Sequence, residues 1–89
     1  MKALVERIVR ELVEHAEAVE LRQYVLGSLN ILEVHVEEAD VGMVIGKDGQ
    51  TINAIRTLMV AIAGRRRLGR WQLEVNGQRT REQLENVRI

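Results

Sequence analysis

Val44-Ile45-Gly46-Lys47-Asp48-Gly49, running on into Gln50-Thr51-Ile52-Asn53-Ala54-Ile55-Arg56, decides how this 89-residue chain is read. Two glycines three apart stand between a short apolar run and a long helical pattern. Glycine pairs belong where a backbone turns sharply or where another molecule's backbone comes close. The start of the following helix offers unpaired N–H groups and the positive end of a dipole, which together suit a phosphate. The rest of the chain then serves as scaffold for an anion site.

Downstream, Ile52, Ile55, Met59 and Ile62 recur at helical spacing, so a helix is expected from Gln50 to Ala63, stopped by Gly64. Arg65-Arg66-Arg67-Leu68-Gly69-Arg70 reads as a basic loop, and Trp71 to Asn76 alternates as a strand. Upstream, Asp40 is a plausible N-cap for a short helix over Val41–Ile45 that the Gly46 turn ends. Ile31 to Glu37 alternates cleanly, with Leu32, Val34 and Val36 on one face and Glu33, His35 and Glu37 on a wet one. Val19 to Leu26 is a weaker strand pattern, joined to the first by a turn over Gly27-Ser28-Leu29-Asn30. Residues 3–17 read as an opening helix, because Val5, Val9 and Val13 repeat at i, i+4, i+8 with Leu4, Ile8 and Leu12 beside them. His15 falls near its end as a surface residue. From Gly77 the chain is polar, and only a short helix carrying Leu84 and Val87 is expected there. The fold class is α+β in the order αββααβ, with a three-stranded sheet and helices on one face.

Composition bounds the rest. The chain has no cysteine, no proline and no phenylalanine, so the core must be aliphatic, and neither disulfides nor thiolate metal sites arise. No metal ligand set is visible and no cofactor is expected. No apolar run approaches the ~18 residues of a membrane span, and the charged N-terminus does not read as a signal peptide. A cytoplasmic protein with no membrane partner is expected. Net charge is zero, but it is unevenly spread. Residues 1–40 carry four basic and nine acidic side chains, whereas residues 41–72 carry six basic (Lys47, Arg56, Arg65, Arg66, Arg67, Arg70) and one acidic (Asp48). Local field decides polyanion binding more than net charge does, and the basic half holds the glycine loop. An enzyme is not expected: the loop lacks the G-K-[ST] ending and spacing of a P-loop, and no nucleophile–base set is visible.

The I-G-K-D-G loop between two helices resembles the I-G-x-x-G signature of KH domains, whose loop clamps about four backbone nucleotides. The element order resembles the type II arrangement. Residues 1–76 as a whole are similar to the small single-domain bacterial KH proteins of the KhpA family, through the opening helix, Asp40-Val41-Gly42, the loop, and Ala54-Ile55-Arg56. Two departures stand out. Where such proteins commonly place a proline before the acidic turn, this chain has His35-Val36-Glu37-Glu38-Ala39-Asp40, and the second variable loop position is the acid Asp48. Residues 77–89 extend beyond the usual end and are taken as a separate extension.

The resemblance implies single-stranded RNA, or alternatively DNA, as partner, lying in a groove between the two helices, the loop and a sheet edge. Gly46, Lys47, Asp48 and Gly49 would hold phosphates, Val41, Gly42, Met43 and Ile45 one side of a groove, and Ile52, Asn53 and Arg56 the other. It also implies an RNA chaperone or post-transcriptional regulator tied to cell shape and the cell wall. Such a protein acts as a homodimer or pairs with a larger KH-containing protein of the KhpB type. Lys47 supplies a mobile point charge, while Asp48 is read as an N-terminal acid capping the next helix. Arg65, Arg66, Arg67 and Arg70 either add phosphate contacts or form a solvated loop complementing the helix's negative end. Trp71 reads as core or interface rather than a stacking platform, Met43 and Met59 as packing, and Leu58, Val60 and Ala61 as a docking face. The alternative is a protein–protein adaptor on a KH fold with little RNA binding.

Overall fold

The computed structural model describes residues 1–76; the expectations for Leu84 and Val87 lie outside the described residues. The elements are α1 (Lys2–Leu12), β1 (Glu20–Leu26), β2 (Leu29–His35), α2 (Val41–Ile45), α3 (Gln50–Arg66) and β3 (Arg70–Val75). This is the expected αββααβ order, and the fold is α+β of the type II KH-like kind.

The sheet runs β1-β2-β3, antiparallel between β1 and β2 and parallel between β2 and β3. A two-residue turn at Gly27-Ser28 closes the hairpin, with Leu26 opposite Leu29. The turn is two residues shorter than expected, because Leu29 and Asn30 already pair with β1 and β3. β2 is central, and Leu32 and Val34 are fully buried beneath the helices. Leu21 and Val75 flank Val34, and Leu73 flanks Leu32. Val5 and Val9 of α1, Val44 of α2 and Ile52, Ile55 and Met59 of α3 complete the same core. Burying one such aliphatic side chain is worth roughly 1.5–3 kcal/mol, so this layer carries the fold without any phenylalanine. Met59 packs in the core as expected. Met43 does not: it is exposed, because α2 turns only Val44 fully inward.

Two helix ends differ from expectation. α1 stops at Leu12, and Val13 is already extended. Its side chain still packs on the core, which is why the apolar periodicity ran on past the helix. The Arg10 guanidinium donates to the Ala16 carbonyl at 2.6 Å and the Val19 carbonyl at 3.3 Å, folding the connection back on α1. α3 runs through Gly64 to Arg66 and ends on Arg67, which takes a left-handed conformation (φ 56°). The Leu68 N–H reaches back to the Ala63 carbonyl at 2.9 Å, so the stop is a backbone cap rather than a glycine.

Two asparagines seal the ends of β3. The Asn30 side-chain amide donates to the Leu68 and Arg70 carbonyls, and Asn76 exchanges two hydrogen bonds with the Val36 backbone. Among the described residues no helix is long and apolar enough to cross a membrane.

Candidate nucleic-acid interface

The glycine loop is one 3₁₀ turn, Lys47–Gly49, wedged between α2 and α3. Gly46 sits at φ 79°, ψ 168°, a conformation open to glycine almost alone. A Cβ built there meets the Thr51 hydroxyl, the Thr51 Cβ at 2.7 Å and the Thr51 backbone nitrogen at 2.8 Å. The first glycine is therefore required by the fold itself, before any ligand arrives. The Gly46 N–H donates to Gly42 O at 2.8 Å and the Gly49 N–H to Gly46 O at 3.1 Å, which holds the turn shut.

Asp48 is exposed and left-handed (φ 54°, ψ 25°). Aspartate tolerates that conformation better than most residues, because its short polar side chain bonds locally. The expected cap is not formed: α3 starts on Gly49 with no side-chain cap and no acid in its first turn. The positive end of a 17-residue helix thus carries no side-chain cap and follows exposed Lys47 by three residues, an arrangement suited to a phosphate.

The other expected residues divide by depth. Gly42 and Met43 are exposed on α2, and Val41 and Ile45 are half-buried. Ile52 is fully buried and supports the groove only from beneath. Asn53 is exposed, and its side-chain oxygen accepts from the Arg56 guanidinium at 2.8 Å. At 100° per residue, Asn53, Arg56, Val60, Gly64 and Arg67 fall on one flank of α3. That flank begins one turn past the loop and runs about 21 Å along the helix.

It faces β3 across a cleft of about 280 Å³, lined by Arg56, Met59, Val60 and Leu29 together with Arg70, Trp71, Gln72 and Leu73. Of the β3 residues here, the expectation named only Arg70, as a possible phosphate contact beside a sheet edge, and did not place Trp71, Gln72 or Leu73 in the groove. Their signal was the pairing of a free strand edge with the 53–56–60–64–67 series. Arg65 and Arg66 are exposed in the last turn of α3, complementing its negative end, while Arg70 reaches the cleft. Trp71 is half-buried against the core, and its indole N–H donates to the Leu68 carbonyl at 3.0 Å. The apolar face expected from Leu58, Val60 and Ala61 is split. Leu58 and Ala61 are exposed on the opposite flank, and Val60, 71% exposed, turns toward the cleft.

Behind α2 lies a pair that the sequence did not announce. Asp40 is 1% exposed. Its carboxylate does not cap α2; it accepts from the His15 backbone N–H and from the His15 ring Nδ1, each at 2.9 Å. Burial pushes the Asp40 carboxyl up, but these hydrogen bonds, one from the Glu14 backbone and the His15 charge outweigh it, so its pKa is lowered. The hydrogen bond to Asp40, followed by its charge, raises the His15 pKa. His15 is thereby a strut between the α1–β1 connection and the root of the loop helix. His35 stays on the outer sheet face, bonded to Glu33 at 2.7 Å.

The KhpA/KhpB KH-domain family model matches residues 2–75. The RNA-binding protein KhpA of Thermotoga maritima is 42% identical over 64 residues, covering 72% of this chain and 85% of the relative. That of Chlamydia muridarum is 43% identical over 65 residues (73% and 83% covered), and that of Streptomyces coelicolor 35% identical over 65 residues (73% and 82%). No solved structure matches the chain significantly. With the element order, the loop and the matched span in agreement, the chain belongs to the KhpA/KhpB family of KH domains.

Proposed function

We propose that residues 1–76 bind single-stranded RNA, with the sugar-phosphate backbone held at Gly46-Lys47-Asp48-Gly49 and the bases along the α3–β3 cleft. One observation carries this: an uncapped helix start beside Lys47 leads along a single flank of α3 into a cleft rimmed by Arg56 and Arg70. The relatives' RNA-binding names support RNA over other polyanions. The protein acts in the cytoplasm as an RNA chaperone or post-transcriptional regulator, is not an enzyme, and has cell shape and the cell wall as its physiological setting. A groove for about four nucleotides binds weakly alone, so a second copy or a larger KhpB-type partner adds avidity. The exposed flank of Leu58 and Ala61 is the docking face for that copy.

Replacing Lys47 by Asp puts two acids between the glycines. The variant should keep its circular-dichroism spectrum and lose retention of single-stranded RNA on filters; unchanged retention overturns the proposal. A second reading, an adaptor with little RNA binding, is favoured by the exposed Tyr24, Val25 and Leu26 at the hairpin end. RNA crosslinks in cells mapping to residues 41–56 would exclude it.

A further inference from the structure

Past the Arg56 cleft, a second cleft of about 520 Å³ opens between the C-terminal half of α3 and the start of β3. The two share Val60, Arg70 and Trp71, so Trp71 stands at their junction. The indole N–H is already committed to the Leu68 carbonyl, which fixes the ring and leaves its π-surface as what it can offer. Asn30, bonded to the Leu68 and Arg70 carbonyls, holds the surrounding loop in place. Arg67 and Arg70 line the cleft and no acidic side chain does.

Gly64 forms part of the wall. It lies inside α3, where glycine is less favourable than alanine by roughly 1 kcal/mol. A Cβ built on it meets nothing within 4 Å. Packing therefore does not require glycine at this position; what glycine does is leave the wall of the cleft bare.

We propose that this cleft is a base-stacking subsite, in which a nucleobase of the bound strand lies on Trp71 while Arg67 and Arg70 hold the adjoining phosphates. This rests on the RNA-binding reading above and extends the footprint beyond the Arg56 cleft. Two arginines on an apolar wall suit an anionic, aromatic ligand better than an apolar peptide. A second copy seated symmetrically here would bring like charges together.

Trp71 is the sole tryptophan, so its emission reports the subsite directly. The full chain is titrated with four- and eight-nucleotide oligouridylates. The longer strand should quench emission more than the tetranucleotide does, and Trp71→Leu should weaken the longer strand's affinity roughly tenfold, the range expected for one lost stack. Trp71→Phe should retain most of the affinity. Gly64→Leu, which grows into open space and favours helix, guards against misfolding of the Trp71 variants and should also weaken the longer strand roughly tenfold. If the parent binds the longer strand with unchanged emission and Gly64→Leu binds equally well, the subsite is overturned and RNA binding stands. If the parent binds neither strand, both readings fall. Emission that shifts with protein concentration without RNA assigns the cleft to a second copy and overturns the subsite.

Discussion

At Gly46 two constraints coincide on one residue. A phosphate-approaching loop explains a glycine there, and so do the positive φ and the contact with Thr51. The contact is the stronger reason, because it holds without ligand. Gly46→Ala should lower unfolding free energy by about 1–3 kcal/mol, measured by urea denaturation. Thr51→Ala in the same chain should not restore it, since the Thr51 backbone nitrogen at 2.8 Å remains. The loop glycines, Lys47 and Arg56 were legible in the sequence because their spacing is local. The Asp48 conformation was not, since an acid before a helix reads equally as a cap.

Among the elements, α3 is informative at its C-terminal end. Gly64 looked like a stop because glycine commonly follows the last helical residue, but the signal that ends α3 is the backbone reversal at Arg67, three residues on. Arg67→Gly should relieve left-handed strain and stabilise the fold by about 1 kcal/mol in thermal melts, while weakening RNA binding at the cleft. The overrun predicted for α1 has a different cause: Val13 goes on packing against the core after the helix has ended, and His15 beyond it bonds Asp40 across 25 residues, a tie that no local periodicity reveals. That pair also makes stability depend on pH. A histidine pKa raised above 6.5 gives stabilisation that is full below 6.5 and lost as pH climbs through the raised value. An aspartate pKa lowered below 3.8 gives stabilisation that is full above 3.8 and lost as pH falls through the lowered value. The joint contribution is greatest between those limits. Melting temperature should therefore decline above pH 6.5, and His15→Gln should flatten the decline. A variant that keeps the parent's alkaline slope would show that the pair does not govern it.

Across the whole molecule, fold class and topology were readable because alternation, helical stripes and turn chemistry pointed the same way. The β3 lining of the cleft, Trp71, Gln72 and Leu73, was not, since it is set only where a helix flank meets a strand edge. Lys47 of the loop together with Arg56, Arg67 and Arg70 of the clefts sets the expected salt response. With about 0.7 counterions released per phosphate on a single strand, log affinity should fall with log salt at a slope no steeper than about −3. A much steeper slope would implicate basic residues elsewhere.

The parallel pairing of β2 with β3 carries one last consequence. Leu29 meets Arg70 and Val34 meets Val75, so this contact spans some forty residues, while the β1–β2 hairpin closes locally. Loop-closure entropy places such long-range pairing late in assembly. The glycine loop sits inside the segment that this pairing encloses, and β3 supplies one wall of both clefts. A ribosome-bound chain emerging N-terminus first therefore displays the loop before it has a groove. On the proposed reading, competence to hold RNA arrives with the closing strand.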